Sequence, residues 1–467
     1  MADAKRALVV SFSALPAPSG KARRLAAALE ALGPRLSVDA LTAKVEGEAH
    51  IERYASARLL RVPMSGELHT RAQTFERALR RQLLGEDYDL VLLGDAFGAL
   101  PVLQRRAQTA FRLVFDGCDL QRQLWPLVSP ELGEEPRFRH RLLRLERHAL
   151  GRADLVLSGS EAQDALLGNL GVSPLHLRRL WPSVATGTSS SNFAPPASPF
   201  LLAALARGAD WEGLATAVRA VGLSRERGTA VRLSIAGPLP PAERQRLRDL
   251  AELLKIGEAL ELRGEIPENR VAEFLGNASA CLCTIRLPSG AESAALGGHR
   301  VVEALAAGRP VLVADTPALR ELGGAAAVYL ASDEPAELAE ALIRLASRPA
   351  VAETLGRDGK KRARELFDAG IQKRTWLNLA RELLAPSGSG LTESSASTQQ
   401  PLDGDSPTLS VESTRYTQAP GEREDTRPVP DAPVQEEPTH AGGPVRSQGD
   451  EWFRSQLPNE ETPIKSA

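Results

Sequence analysis

The sequence lacks a hydrophobic run long enough to cross a membrane. No stretch of about eighteen uncharged apolar residues occurs, which argues against a transmembrane helix. The opening MADAKRALVVSFSALPAPSG contains only a short apolar run, which fits a first β-strand better than a signal peptide. We therefore expect the protein to be made and kept in the cytoplasm.

Cysteine is also scarce. The three cysteines, Cys118, Cys281 and Cys283, offer no disulfide framework, and a Cys-x-Cys pair without a second pair is a poor zinc signature. No Asp-x-Asp lies where it could hold a divalent ion in the second half, and DGCD (116–119) more simply ends a strand. We predict reduced thiols, no metal and no cofactor.

Aromatic residues make up only 4% of the chain, and no nucleic-acid reader motif is present, so we predict no nucleic-acid binding. Two arginine-rich segments, 67–84 and 137–152, have apolar and basic residues at helical spacing. Solvated helix faces are the usual meaning of such a pattern. A second interpretation is peripheral contact with an anionic membrane on its cytoplasmic face.

The composition changes at about Pro386. The segment 386–467 is rich in Ser, Thr, Pro, Gly and Gln, and it carries 14 acidic against 6 basic residues. Such a segment buries too little apolar surface to offset its ordering entropy, so we predict a disordered acidic tail. The adjacent Trp452 and Phe453 stand out in it as a candidate docking site for a protein partner, although a chance occurrence explains them equally well.

Short apolar runs alternate with helical patterns over the rest of the chain. RALVVSF, YDLVLLGD, FRLVFDG and ADLVLSG read as buried strands, and Ser158 or Ser160 can cap the helix after the last of them. The polar stretch VATGTSSSNFAPPASP then interrupts the alternation before it resumes. This predicts an α/β fold with two doubly wound lobes facing a cleft: an N-terminal lobe (1–184), a linker (185–198) and a C-terminal lobe (199–385).

One helix start in the second lobe is nearly bare. The segment GGHRVVEALAAGRP predicts a helix that stops at Gly308. A first turn with unpaired N–H groups and no side chains suits an anion, and Glu303 is placed to accept hydrogen bonds from vicinal hydroxyls such as those of a ribose. A tight turn followed by a solvated Glu explains the pattern about as well. The residues at this start are Gly297, Gly298, His299 and Arg300.

VVEALAAGRPVLVADTPALREL resembles the donor-site segment of family 4 (group 1) of the retaining glycosyltransferases. SIAGPLP, LELRGEIPENRVAEFLGNA, ERHALGRADLVLSGSEA and LVFDGCDL also resemble family segments, in the family's order, over residues 6–384. The resemblance implies two Rossmann-like lobes of the GT-B type, with a nucleotide sugar bound as substrate in the second lobe. It also implies that Glu303 holds the ribose.

The sequence departs from the family pattern at several positions. The first glutamate of the donor motif falls on Ala295, although a Gly-rich variant with a following Arg300 also occurs in the family. The arginine and lysine that neutralise the diphosphate align with Arg207 and Glu212, and a carboxylate there would repel phosphate. Cys118 stands where many members have a histidine. In the first loop, Gly20 is the candidate for close backbone approach to ligand, unless it serves only as a turn.

The resemblance implies an enzyme that moves a sugar from a nucleotide donor to a glycan or lipid-linked acceptor with retention, in surface polysaccharide assembly or a similar pathway. In the family no protein nucleophile is needed, and Arg207, Arg300 and the helix start would stabilise the leaving diphosphate. The alternative is a catalytically degenerate copy that binds a nucleotide or glycan and serves as a scaffold. Glu212, Ala295 and Cys118 favour this alternative, whereas Glu303 and Arg300 favour activity.

Overall fold

Two β-sheets, each covered by helices on both faces, organise the protein. The computed structural model describes residues 5–17, 19–120, 130–187, 198–206, 213–283 and 295–385. All of them belong to a unit that spans Met1–Leu391. The predicted tail with Trp452 and Phe453, and residues 188–197 of the predicted linker, lie outside the described residues.

The described residues of the first lobe form an eight-stranded sheet in the order β3-β4-β2-β1-β5-β6-β7-β8. All neighbouring strands are parallel except β3 and β4, which pair as an antiparallel hairpin at one edge. The strands are β1 (Arg6–Val10), β2 (Ser37–Ala43), β3 (Ile51–Tyr54), β4 (Ala57–Val62), β5 (Leu90–Leu93), β6 (Arg112–Asp116), β7 (Leu155–Ser158) and β8 (Leu177–Arg179).

Strand β1 explains why this sheet is covered on both faces. Ala7 and Val9 belong to one hydrophobic cluster, whereas Leu8 and Val10 belong to another, and all four are buried. Alternate side chains of a strand point to opposite faces, so a continuous apolar strand needs helices on each side. Those helices are α1 (Gly20–Leu32), α2 (Leu68–Gly85), α3 (Ala99–Arg106), α4 (Pro136–Arg152) and α5 (Glu161–Asn169). The predicted cap of α5 is confirmed at Ser160, whose side chain accepts a 3.1 Å hydrogen bond from the Gln163 N–H.

The two arginine-rich segments are the amphipathic helices α2 and α4. Helix α2 buries Leu68, Ala72, Phe75, Leu79 and Leu83 at helical spacing. Its Glu76 pairs with Arg141 of α4 at 2.9 Å, so part of the basic charge is neutralised between the two helices. Among the helices that the structure describes, none is both long and apolar enough to cross a bilayer.

The second lobe contains a parallel six-stranded sheet in the order β11-β10-β9-β12-β13-β14 within the described residues. Its strands are β9 (Phe200–Leu205), β10 (Val231–Ala236), β11 (Leu260–Gly264), β12 (Ala280–Cys283), β13 (Val311–Ala314) and β14 (Ala327–Leu330). The helices that follow β9 in the chain are α6 (Leu214–Glu226), α7 (Pro241–Leu253), α8 (Glu268–Gly276), α9 (Ala295–Ala306), α10 (Pro317–Gly323), α11 (Pro335–Ser347), α12 (Pro349–Leu366) and α13 (Ala369–Leu384).

The last helix, α13, belongs to the first lobe by its packing. Trp376, Leu379 and Ala380 are buried in the same cluster as the apolar residues of α1 and β1. The predicted second lobe (199–385) therefore needs a correction at its end, because the apolar face of α13 covers α1 and not the second sheet. Sequence periodicity identifies an apolar helix face but does not say which core receives it.

Trp376→Ala should lower the free energy of unfolding by about 3–5 kcal/mol, because it removes a large buried side chain from the first-lobe core. A urea titration followed by circular dichroism measures the loss. Leu253→Ala is the control, because Leu253 is 77% exposed and its truncation should cost less than about 0.5 kcal/mol. Similar losses for the two variants would contradict the packing of α13 on α1.

Candidate functional site

The helices that follow β1 and β12 meet between the two lobes. Arg23 of α1 donates a hydrogen bond to Oε1 of Glu303 on α9, and its other terminal nitrogen forms an ion pair with Glu268 at the start of α8. In parallel α/β sheets ligands bind beyond the carboxyl ends of strands, and these helices begin just past such ends. The contact therefore lies where the fold predicts a site.

Glu303 is the most buried acidic side chain at this contact. The helix around it is apolar: Val301, Val302, Ala304 and Leu305 are fully buried in the second-lobe core, and Glu303 itself is only 8% exposed. Burial raises the pKa of Glu303, because a carboxylate loses its hydration there, while the Arg23 guanidinium opposes that change.

The first residues of α1 are unusually basic. Lys21, Arg23 and Arg24 lie within its first turn and a half, where the helix dipole disfavours positive charge, and the first turn contains no acidic residue. Each cation faces a carboxylate on another element. Lys21 Nζ lies 4.0 Å from Asp95 after β5, and Arg24 lies 3.1 Å from Asp116 at the end of β6 and 2.6 Å from Asp119 just beyond it. Arg23 is the member of this set whose partners belong to the second lobe.

The structure places Cys118 in the interior of the first lobe. It is 1% exposed, within a 3-10 turn (Gly117–Asp119), and it packs in the cluster that includes α1. Burial raises the pKa of its thiol far above the usual range, and the neighbouring Asp116 and Asp119 act in the same direction. A direct catalytic role for Cys118 is therefore not supported by its position, and the acidic flanks of DGCD are accounted for by Arg24.

The predicted bare helix start begins slightly earlier than expected. Helix α9 starts at Ala295, so Gly297 and Gly298 complete its first turn, and His299 and Arg300 begin the second. A Cβ on Gly298 would lie 2.9 Å from Leu322 Cδ1, so a larger residue here would require the Leu322 side chain on α10 to shift. His299 is buried, whereas Arg300 is half-buried and its charge acts on both Cys283 and Glu303.

At the other predicted positions the structure is less informative about ligand binding. Gly20 is the first residue of α1, and the preceding Ser19 caps that helix by accepting a 3.1 Å hydrogen bond from the Ala22 N–H. Arg207 and Glu212 lie outside the described residues, so their proposed places beside a diphosphate stay predictions.

A second contact joins the lobes through Glu321 of α10. Its Oε2 accepts a 2.7 Å hydrogen bond from the N–H of Glu161, the first residue of α5, and its Oε1 lies 3.1 Å from Arg179. The carboxylate thus caps a helix of the first lobe from the second. Together with the Arg23 contact, this gives two places where an acidic side chain of the second lobe meets positive charge in the first.

Within the described residues, the one group with metal-ligating geometry is on the outside of the first lobe, at Glu67, His69 and Glu135. His69 Nδ1 lies 3.0 Å from Glu135 and 3.5 Å from Glu67, which is also the geometry of ordinary surface ion pairs. This group includes none of the residues around Glu303. The prediction that the reaction needs no metal stays a prediction.

The pattern of charges could have indicated Arg23, which motif spacing alone does not single out. Three cations at the start of a helix oppose its dipole, so such a run signals carboxylates on other elements. Its partners were not predictable from local sequence, because Glu303 is 280 residues away in the chain.

Two family models match successive parts of the chain. The glycosyl transferase 4-like domain matches residues 20–182, and glycosyl transferases group 1 matches residues 188–362. The two together cover well over half of the sequence. A search of curated proteins gives no match.

Solved structures with the same two-lobe fold include sucrose-phosphate synthase from Thermosynechococcus elongatus, with 20% identity, a TM-score of 0.68, and coverage of 82% of this chain and 99% of that one. Anabaena HepE in complex with UDP-glucose has 15% identity, a TM-score of 0.63, and coverage of 81% and 100%. WaaG, a glycosyltransferase involved in lipopolysaccharide biosynthesis, has 16% identity, a TM-score of 0.60, and coverage of 81% and 100%. The predicted fold class is thereby confirmed.

The burial of the cysteines gives a chemical prediction. All three are at most 4% exposed, and burial raises the pKa of each thiol, to about 12 for Cys283. Because the thiolate is the reactive form, a disulfide reagent at mildly alkaline pH should find no fast-reacting thiol in the native protein. The same titration in denaturant should count all three. A fast native reaction that maps to Cys118 would return this residue to the candidate site.

Proposed function

We propose that this chain, which belongs to the group 1 glycosyltransferases, transfers a sugar from a nucleotide-sugar donor to a glycan or lipid-linked acceptor with retention of configuration. The group 1 model and the glycosyl transferase 4-like model, which match successive parts of the chain, support the transferase function. The observation that carries the proposal is the buried carboxylate of Glu303, which lies beside Arg300 on the helix that follows β12.

The donor would bind in the second lobe, with its ribose at Glu303. A carboxylate accepts hydrogen bonds from two vicinal hydroxyls, and charge-assisted hydrogen bonds are about twice as strong as neutral ones. In this proposal the backbone N–H groups of the first turn of α9 would face the diphosphate, and Arg300 would add a positive charge for its phosphate oxygens. The complex of HepE with UDP-glucose supports a nucleoside diphosphate sugar as the donor.

In the proposed reaction the acceptor hydroxyl attacks the anomeric carbon on the face from which the diphosphate leaves. A phosphate oxygen of the donor takes the hydroxyl proton, so no protein nucleophile is used. The buried, protonated Cys118 is compatible with this scheme, because the scheme asks nothing of it. The positive charges near the diphosphate would supply most of the catalysis by stabilising the leaving group.

The acceptor would bind on the first lobe, and surface polysaccharide assembly is the proposed pathway. The likeness to WaaG, which is involved in lipopolysaccharide biosynthesis, supports this choice of pathway. The exposed arginines of α2 and α4, such as Arg77 and Arg147, would let the first lobe approach an anionic membrane that carries a lipid-linked acceptor. The pairing of Arg141 with Glu76 limits how much of this charge is free to act.

A nucleotide-sugar screen tests the function. We expect a panel of UDP- and GDP-sugars to include one that raises the melting temperature, and that donor should then be hydrolysed slowly in the absence of acceptor, with release of nucleoside diphosphate. Release is measured by a coupled phosphatase assay. Stabilisation without any release, even with glycan acceptors added, would favour the binding or scaffold alternative. No stabilisation by any donor would contradict the proposed function.

Glu303→Ala should weaken nucleotide binding by about 1–3 kcal/mol, the range for hydrogen bonds that involve a charged group. Calorimetry with UDP and GDP measures the change. Glu321→Ala is the matched control, because Glu321 also accepts from the first lobe but lies on another helix, so it reports any effect of loosening the lobes. Equal losses in the two variants, or none in Glu303→Ala, would remove Glu303 from the ribose site.

A further inference from the structure

Arg23 of the first lobe contacts two acidic side chains of the second lobe. Its guanidinium donates to Oε1 of the buried Glu303 and pairs with the more exposed Glu268. The Arg23 side chain is itself 20% exposed, so its interaction with Glu303 is poorly screened by water.

The charge on Glu303 depends on its surroundings. Among the described residues, the ionisable groups that act on it include Arg23 on α1, Glu268 on α8, Arg300 on its own helix, and the buried thiol of Cys283 on β12. Burial and the negative charge of Glu268 raise the pKa of Glu303, whereas Arg23 and Arg300 lower it. Arg23 also donates a hydrogen bond to the carboxylate.

A ribose hydroxyl donates more strongly to a carboxylate than to a neutral carboxylic acid. The group that keeps Glu303 ionised therefore affects donor affinity without touching the donor. That group belongs to the other lobe, so its effect requires the contact between α1 and α9 to be made.

We propose that Arg23 is a positioning residue that keeps Glu303 charged and oriented for the donor ribose, so that the donor site of the second lobe is complete only when the first lobe contacts it. This inference rests on the proposed function of Glu303 as the ribose ligand. It extends that function by making donor affinity depend on the relative position of the lobes.

The test is the pH dependence of donor binding. The probes are UDP-glucose and GDP-mannose, whose diphosphates are diesters and do not change their charge in the weakly acidic range. In the parent protein, affinity should fall as the pH falls through the pKa of Glu303. In Arg23→Met the midpoint of this loss of affinity at acidic pH, the acidic loss, should move to higher pH, because the opposing positive charge is gone. At a pH between the two midpoints the variant should therefore bind up to about tenfold more weakly than the parent, relative to their affinities at alkaline pH.

Three further variants give the inference independent checks. Arg23→Lys keeps the charge and should keep the parent's pH profile. Glu268→Gln removes a negative charge that faces Glu303 from an exposed position, so its acidic loss should move to lower pH, the opposite direction. Glu303→Gln should show no acidic loss, with or without Arg23→Met, because the titrating group is absent.

The outcomes separate this inference from the proposed function. If the parent binds neither probe nor any other nucleotide sugar, the proposed function fails. If the parent binds but Arg23→Met has the parent's pH profile, or Glu303→Gln retains the acidic loss, the role of Arg23 is overturned and the function stands. Should Arg23→Met not fold, the opposite shift in Glu268→Gln decides, since an unchanged or upward shift there also contradicts the inference.

Discussion

A carboxylate buried in one lobe and neutralised by a cation from the other is the interaction around which the site is built. Burial at 8% exposure raises the pKa of the Glu303 carboxyl, because it disfavours the charged form. The cation that opposes this change, Arg23, lies on the helix that follows the first strand of the chain, whereas Glu303 lies on the helix that follows β12. The pKa of the Glu303 carboxyl therefore depends on a residue of the first lobe as well as on the second.

The same principle orders the carboxyl edge of the first sheet. Asp95 after β5, Asp116 at the end of β6 and Asp119 just beyond it are buried acidic groups that would destabilise an apolar core if unpaired. The basic start of α1 supplies a counter-charge to each of these strand ends. One short segment, KARR, thus stabilises its own lobe through Lys21 and Arg24 and contacts the other lobe through Arg23.

Much of the architecture was predictable from the sequence because it follows local periodicity. The apolar runs at β1, β5, β6, β7, β9, β10, β12 and β13 become strands, and Gly308 follows the end of α9 with a φ of 72° that favours glycine. The hairpin of β3 and β4 was not predictable in this way, because its turn residues, Ala55 and Ser56, adopt positive φ without the Asn or Gly that usually marks such a turn.

The candidate site was less predictable, because its charges are paired over long distances in the chain. Glu303 and Arg300 were identified as candidates from a predicted bare helix start, although the helix begins earlier, at Ala295. The prediction of Cys118 as a site residue was not supported, because nothing near it in the sequence indicates that Arg24 neutralises the two flanking aspartates and allows the turn to be buried. Arg23 acquires a role only when the second lobe is in place.

Helix α13 also has a consequence for the order in which the protein folds. The cluster around α1 and β1 includes Trp376, Leu379 and Ala380, so the first lobe completes its core only with residues that follow the whole second lobe in the chain. During synthesis the apolar surface of α1 that α13 covers stays exposed until more than 180 residues beyond the first lobe have been translated. The second lobe can form its own hydrophobic core in that interval, so we expect it to fold before the core of the first lobe is complete.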